Sequence, residues 1–310
     1  MASSLDIALT VFFAIFVILD IAFNVILFLA IYKKRSLHTP MNLLILHLSV
    51  TDILTGVFII PRHVLNHAIT YPNTTSSDYI CKLVTGGNFI WTSATAASGF
   101  LTIIALERFF AVVHPHKAGL RVTKSRLVWL AWACWISSFA FNLPSLLVLR
   151  FDHDLHFCME NWPEWASPKA YVAFAFFAGN SSVIAMYVLY SIILYSLWKK
   201  HKAVNEVSRA ARINARKRVT RMLILMTVVH MICRTPNYTF YTLSYFDPDA
   251  QYGSTVYSFT VFLILINSAS HPFFFCWYMS NLRREVLKVI PALRSLRCPS
   301  RLRVFSLAST

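Results

Sequence analysis

The stretch IALTVFFAIFVILDIAFNVILFLAIY, residues 7–32, decides the fold class of this chain, because its only charged residue is Asp20. An apolar run of this length is long enough to cross the hydrocarbon core of a bilayer as a helix. No basic segment precedes it, and it ends at Lys33-Lys34-Arg35 instead of a small-residue cleavage site. We therefore interpret it as a retained membrane anchor and not as a signal peptide.

Six further apolar runs follow the first. The composition agrees with a membrane protein, since 57% of the 310 residues are hydrophobic and 14% are charged, against about a quarter charged in soluble domains. The connections are short, so residues 1–310 are predicted to form a single all-α domain with seven transmembrane helices. The predicted helices lie at about 7–32, 42–65, 83–112, 124–149, 170–199, 212–246 and 254–279.

The basic residues are distributed unevenly over the connections. Of the 29 Lys and Arg residues, 24 lie on alternate connections and in the C-terminal tail. Because positive loops remain in the cytoplasm, the N-terminus is predicted to be outside the plasma membrane and the C-terminus inside. The net charge of +16 thus faces anionic lipid and cytosolic partners, and nucleic acid is not expected as a partner.

Six cysteines are spread along the chain, and two of them, Cys81 and Cys158, fall on the predicted outer side. Disulfides persist outside the cell, so these two are expected to pair. On the same face, Asn73 begins a glycosylation sequon. On the inner side, Cys298 is a candidate for acylation.

Short motifs occur along the seven segments in a fixed order. Segment two contains LSVTD ending at Asp52, segment three ends with ALERFFAVVHP including Glu107 and Arg108, and segment seven closes with NSASHPFFFCWY. Together these motifs resemble those of rhodopsin-like (class A) G protein-coupled receptors over nearly the whole chain, and FCMENWPE around Cys158 resembles the second outer loop of several peptide receptors. Other matching positions are Asn24, Trp135, Pro144, Tyr190 and Pro236.

The resemblance implies a receptor and not an enzyme, without cofactor or metal. It implies a short amphipathic eighth helix at about 280–290, and it implies that Arg108 is held by Glu107 at rest and released towards a heterotrimeric G protein. An arrestin is implied as a further cytosolic partner. The implied coupling and switch residues are Glu107, Arg108, Tyr190, Arg234, Pro236, Pro272 and Phe275, and the implied polar core consists of Asn24, Asp52, Asn267, Ser268 and His271.

Several positions depart from the family pattern. In segment six, Arg234 stands where the family has a Trp, and His230 stands where it has a Phe. In segment seven, His271 replaces an Asn and Phe275 a Tyr. The distance from Cys81 to Arg108 is two residues longer than is typical of the family, which predicts an insertion or a bulge at the outer end of segment three.

Arg234 has three interpretations at this stage. A buried cation needs an anion or solvent, so Arg234 is hypothesised to reach Asp52 and to replace the sodium ion that family members hold there. His271 would then add sensitivity to pH. Alternatively, Arg234 points into a ligand pocket and meets an anionic ligand, or the receptor is degenerate and signals weakly.

The ligand class is narrowed by two absences in the sequence. No lysine occurs between Lys217 and Lys288, which excludes a retinal Schiff base, and segment three holds no acid before Glu107, which disfavours an amine ligand. A peptide such as a neuropeptide is the leading expectation, basic or amidated because of the outer acids, and a small anionic ligand is the alternative. A transporter is a remote alternative, since no internal repeat is visible. The candidate ligand-binding residues are Ile90, Arg234, Asn237, Tyr238, Tyr241 and Tyr257.

Overall fold

The computed structural model describes residues 4–65, 68–72, 75–117, 119, 122–153, 157–202 and 207–289, with the backbone alone at 200–202 and 207–213. The predicted glycosylation site Asn73 and the predicted acylation site Cys298 lie outside the described residues, so both remain predictions.

Seven long helices pack side by side, which confirms the predicted all-α bundle. Six of them are long and apolar enough to cross a membrane, as expected for a multi-pass membrane protein. The seventh, α7, packs between α6 and α8, and His230, Arg234 and Asn237 make its outer half more polar than the others. The long helices are α1 (Ser4–Lys33), α2 (Pro40–Ile59), α4 (Asn88–Val113), α5 (Lys124–Val148), α6 (Pro168–Lys202), α7 (Val207–Leu243) and α8 (Thr255–Tyr278).

Side-chain caps define where several helices begin. The hydroxyl of Thr39 accepts a hydrogen bond from the backbone N–H of Asn42, and Pro40 occupies the first turn of α2. Thr123 caps α5 in the same way, and Ser254 caps α8. Such caps satisfy backbone donors that have no partner within the helix.

The outer end of the third segment is broken, and α4 begins at Asn88 instead of near residue 83. A short helix α3 (Ser76–Ile80) runs into a turn of π-helix at Cys81–Thr85. At Gly86 a Cβ atom would collide with the Leu149 side chain and the Cys81 carbonyl, and Gly87 has a φ of 83°, which glycine adopts without strain. The two extra residues between Cys81 and Arg108 therefore belong to a segment in which the helix is broken before α4.

A β-hairpin covers the outer end of the bundle. It was not predicted from the sequence. Strands β1 (Leu149–Asp152) and β2 (Phe157–Glu160) pair antiparallel, with Phe151 opposite Cys158. The predicted disulfide between Cys81 and Cys158 is confirmed. It ties β2 to the π-helical turn that precedes α4.

The inner half of the bundle is filled by apolar side chains from most of the long helices. Phe100, Ile104, Met222 and Phe275 are among its fully buried members. The predicted eighth helix is α9 (Ser280–Val289), whose Leu282 is buried against this core while Arg283 and Arg284 are exposed. An amphipathic helix of this kind suits the surface of a membrane.

Candidate functional site

The inner end of α4 carries the Glu107–Arg108 pair. Arg108 Nη2 lies 2.5 Å from Glu107 Oε2, and Arg108 Nε donates to the same oxygen. Both side chains are only partly exposed, so the guanidinium is engaged within its own helix. Tyr190 and Phe275 are buried in the adjoining apolar core, while Pro236 and Pro272 lie inside the continuous helices α7 and α8.

Two buried carboxylates lie at mid-bundle, one on α1 and one on α2. Asn24 donates through Nδ2 to the carbonyl and to Oδ1 of Asp20, one turn earlier. Asp52 Oδ2 lies 2.8 Å from His271 Nδ1 on α8, and both side chains are almost fully buried. Ionisable groups within a membrane are costly and are usually functional.

His230 links two other helices in this polar layer. Its ring nitrogens lie 3.1 Å from Ser98 Oγ on α4 and 3.3 Å from Asn267 Nδ2 on α8. The adjacent Ser268 is buried as well. The polar residues predicted from the sequence therefore do gather in one layer, and His230 is an additional member of it.

The hypothesis that Arg234 reaches Asp52 is wrong. Arg234 Nη2 donates to the hydroxyl of Tyr238 at 2.7 Å, and its Cζ lies 5.0 Å from the centre of that ring. The side chain lines a pocket nearer the outer face of the bundle, and Asp52 pairs with His271 instead. One helical turn separates Arg234 from Tyr238, so this local contact is available without crossing the bundle.

The same geometry fits a sodium ion poorly. His271 stands where the family pattern has an Asn, and its ring nitrogen already contacts Asp52 Oδ2. An ion at this carboxylate would have to share it with the imidazole.

The outer pocket lies beneath the hairpin and is narrow. Its volume is about 40 Å³, against the several hundred Å³ typical of occupied ligand pockets. Glu160 and Arg234 place opposite charges on its wall, and the rest is largely aromatic. The lining residues are Trp91, Thr95, Phe141, Asn142, Ser145, Glu160, Tyr171, Ala175, Arg234, Asn237, Tyr238, Tyr241 and Tyr257.

Glu160, at the end of β2, holds the hairpin against the outer end of α7. Tyr241 donates to both of its carboxylate oxygens at 3.0 Å, Tyr245 donates to Oε2, and Trp162 Nε1 donates at 3.0 Å. Burial raises the pKa of the Glu160 carboxyl above its ordinary value, and these donors oppose part of that rise. The three neighbouring donors therefore favour the ionised form of Glu160, whereas burial favours the protonated form.

Five of the six candidate ligand residues do line this pocket, and Ile90 does not. Ile90 is fully buried among apolar neighbours at the outer end of α4. Trp91 and Thr95 face the pocket in its place. Glu160 was recognised from sequence only as one of several outer acids, and its position two residues after Cys158 was the signal that could have singled it out.

A bundle of seven membrane helices with a polar middle layer and a covered outer pocket defines a heptahelical membrane receptor. Residues 23–275 match the family described as 7 transmembrane receptor (rhodopsin family), and the chain belongs to this family, whose members are receptors and not enzymes.

Curated relatives of the chain include several peptide receptors. It is 27% identical to neuropeptide FF receptor 1 of Homo sapiens, over 93% of this chain and 70% of that receptor. It is 28% identical to the allatostatin-A receptor of Bombyx mori, over 90% of this chain and 78% of that receptor. It is 25% identical to the QRFP-like peptide receptor of Branchiostoma floridae, over 74% of this chain and 62% of that receptor.

Proposed function

We propose that this protein is a plasma-membrane receptor for an extracellular peptide and that it relays peptide binding to heterotrimeric G proteins. The observation that carries the proposal is the Glu160 network, in which one carboxylate joins the outer hairpin to Tyr241 and Tyr245. Several relatives of the chain are named as peptide receptors, which supports a peptide as the ligand. The positive inner connections support an external N-terminus and a cytoplasmic C-terminus.

The narrow pocket indicates a closed resting form that a ligand must open. A basic group on the peptide would compete with Tyr241 and Tyr245 for Glu160, because a cation adds Coulombic attraction that a neutral hydroxyl lacks. Release of these tyrosines would free the outer end of α7, beyond Pro236, where the proline removes one backbone hydrogen bond of the helix. The ligand would thereby favour a different packing of α7.

At the inner face, the proposed output is release of Arg108 from Glu107. Movement of α7 would open a cleft beside Arg108 and Tyr190, both at the inner half of the bundle. The sequence places basic residues on the inner connections, and their charge would complement an acidic partner surface. An arrestin would meet the same face.

A library of basic and amidated peptides tests the proposal in cells that carry a G-protein dissociation sensor. An active peptide is expected to lose about tenfold or more in potency in Glu160→Gln, since a hydrogen bond to a charged group contributes about 1.5–3 kcal/mol. Glu164→Gln is the matched control, because Glu164 is an exposed acid in the same loop. A flat response to every peptide with every class of G protein would overturn the proposal.

A small anionic ligand is the second candidate, and Arg234 favours it. Among the described residues, Nε and Nη1 of this buried guanidinium have no hydrogen-bond partner. The Arg234 side chain lines the pocket, so an anion that entered the pocket would compensate the charge of this guanidinium. Activation by small organic acids, lost in Arg234→Gln and retained in Glu160→Gln, would select this candidate over a peptide.

A further inference from the structure

A second cavity lies at the outer ends of α1, α2 and α8, beside β2. Its volume is about 350 Å³, which is within the range that accommodates small molecules and ligand side chains. Leu9, Phe13 and Phe157 form apolar walls, and Arg62 and His63 contribute polar atoms. Neither Arg62 nor His63 belongs to the outer pocket described above.

Arg62 is a buried guanidinium that forms no ion pair with the described residues. The side chain is 8% exposed, and its Nη1 donates to the carbonyl of Gly86 at 2.7 Å. Its Cζ lies 4.7 Å from the ring centre of Phe157 and 5.3 Å from that of Tyr252. Carbonyl and ring contacts compensate only part of the charge, and Nη2 has no hydrogen-bond partner in the part of the chain that the structure describes.

His63 also lines this cavity. Its ring stacks on Phe13 with the centroids 4.6 Å apart, which fixes the plane of the imidazole. Its Nε2 is buried and lacks a hydrogen-bond partner among the described residues. Arg62 and His63 thus each keep a buried nitrogen without a hydrogen-bond partner among the described residues, which is unfavourable.

The nearby acids are engaged elsewhere. Asp6 also lines the cavity, and its Oδ1 accepts a hydrogen bond from the Thr255 hydroxyl at 2.8 Å. Glu160, in the neighbouring pocket, accepts from Tyr241 and Tyr245. Within the described residues no carboxylate lies within 4.0 Å of Arg62, and Glu160 attracts the guanidinium only from a longer distance, so an anion in the cavity would be a direct partner for it.

We propose that this cavity is a carboxylate-binding subsite, in which Arg62 and His63 hold the carboxylate and the apolar walls hold the hydrocarbon next to it. Guanidinium groups suit planar carboxylates because their donors are fixed in a fork. The carboxylate belongs to a peptide, at its C-terminus or on an acidic side chain, or to a free organic acid. The inference deepens the proposed receptor function by assigning one chemical group of the ligand.

Thermal unfolding of the purified full-length receptor in nanodiscs tests the subsite without any signalling step. The probe is 3-phenylpropanoate, and its neutral analogue 3-phenylpropanamide is the control ligand. Saturating carboxylate is expected to raise the melting temperature by about 2–4 °C, the shift that stabilisation by a weakly bound ligand produces, and the amide is expected to raise it far less. A short peptide with a free C-terminus and its amidated form then distinguish a terminal carboxylate from a side-chain one.

Three variants locate the effect. Arg62→Gln is expected to abolish the shift, and Arg234→Gln, which removes the arginine of the other pocket, is expected to retain it. Because Arg62 also binds the Gly86 carbonyl and its replacement can impair folding, Ser258→Phe fills the cavity from α8 and is expected to abolish the shift as well. Equal shifts with acid and amide, no shift in the unaltered receptor, or a shift that survives Ser258→Phe would overturn the proposal. A silent G-protein assay with an intact shift would instead overturn only the signalling function.

Discussion

His271 Nδ1 on α8 lies 2.8 Å from Asp52 Oδ2 on α2, and both side chains are almost completely buried. This contact joins α8 to α2. His271 stands where the family has an Asn, whereas Asp52 follows the family pattern. The contact leaves Arg234 free to face the outer pocket.

The first prediction concerns sodium. Because the imidazole of His271 contacts Asp52, sodium chloride is expected to stabilise the receptor no more than choline chloride does at equal ionic strength. His271→Asn removes the ring, and this variant is expected to gain a rise in melting temperature that sodium alone produces. A sodium-specific rise in the unaltered receptor that disappears in Asp52→Asn would contradict this account.

The second prediction concerns Gly56 and the other buried acid. A Cβ atom at Gly56 would lie 2.6 Å from Asp20 Oδ2, so Gly56→Ala must displace a carboxylate that α1 holds through Asn24. The expected loss of stability is about 1–3 kcal/mol, the usual cost of overpacking. Thermal unfolding of the purified variant measures it.

A double mutant identifies the cause of that loss. Asp20→Ala removes the oxygen that Gly56→Ala would strike, so the two changes together are expected to be less destabilising than the sum of the single changes. Additive effects would show that the new methyl group strikes the backbone or Ile21 instead.

The third prediction concerns the disulfide. Cys81→Ser is expected to lower the melting temperature, because losing a native disulfide costs about 2–5 kcal/mol and this one ties β2 to the turn before α4. Cys158→Ser and the double variant are expected to match it, since each change breaks the same bond. A double variant clearly less stable than either single one would show that the unpaired thiols have other stabilising contacts.

The fourth prediction concerns pH and Glu160. Burial raises the pKa of this carboxyl in the folded receptor, so the folded state holds the proton more tightly than the unfolded state. The folded state is therefore expected to lose stability as the pH rises from the ordinary glutamate pKa of about 4.3 through the raised folded value. Glu160→Gln cannot ionise, and its melting temperature is expected to fall less over that interval.

The affinity for a basic peptide is expected to change with pH in the direction opposite to that of stability. A basic peptide needs the ionised carboxylate, so its affinity is expected to weaken as the pH falls below the raised pKa of Glu160. Glu164→Gln serves as the control in both measurements. Identical pH profiles for Glu160→Gln and the unaltered receptor would show that Glu160 does not cause the pH dependence.

Much of the architecture could be predicted from the sequence because it depends on local composition. Seven apolar runs are long enough to cross a bilayer, and in hydrocarbon a helix satisfies its own backbone hydrogen bonds. The two cysteines on the predicted outer side indicated the disulfide. The hairpin was missed because each of its strands has only four residues. So short a strand carries a much weaker sequence pattern than a membrane helix.

The sequence by itself determined that this is a heptahelical membrane receptor with two acids, an arginine and two histidines in its interior. Only the tertiary structure decided which of these groups meet. Asp52 pairs with His271, Arg234 turns outward to Tyr238, and Arg62 is buried beside an open cavity. The physical reason is that partners on different helices depend on each helix's rotation and depth in the bundle, and these follow from the packing of all seven helices and from breaks such as Gly86–Gly87.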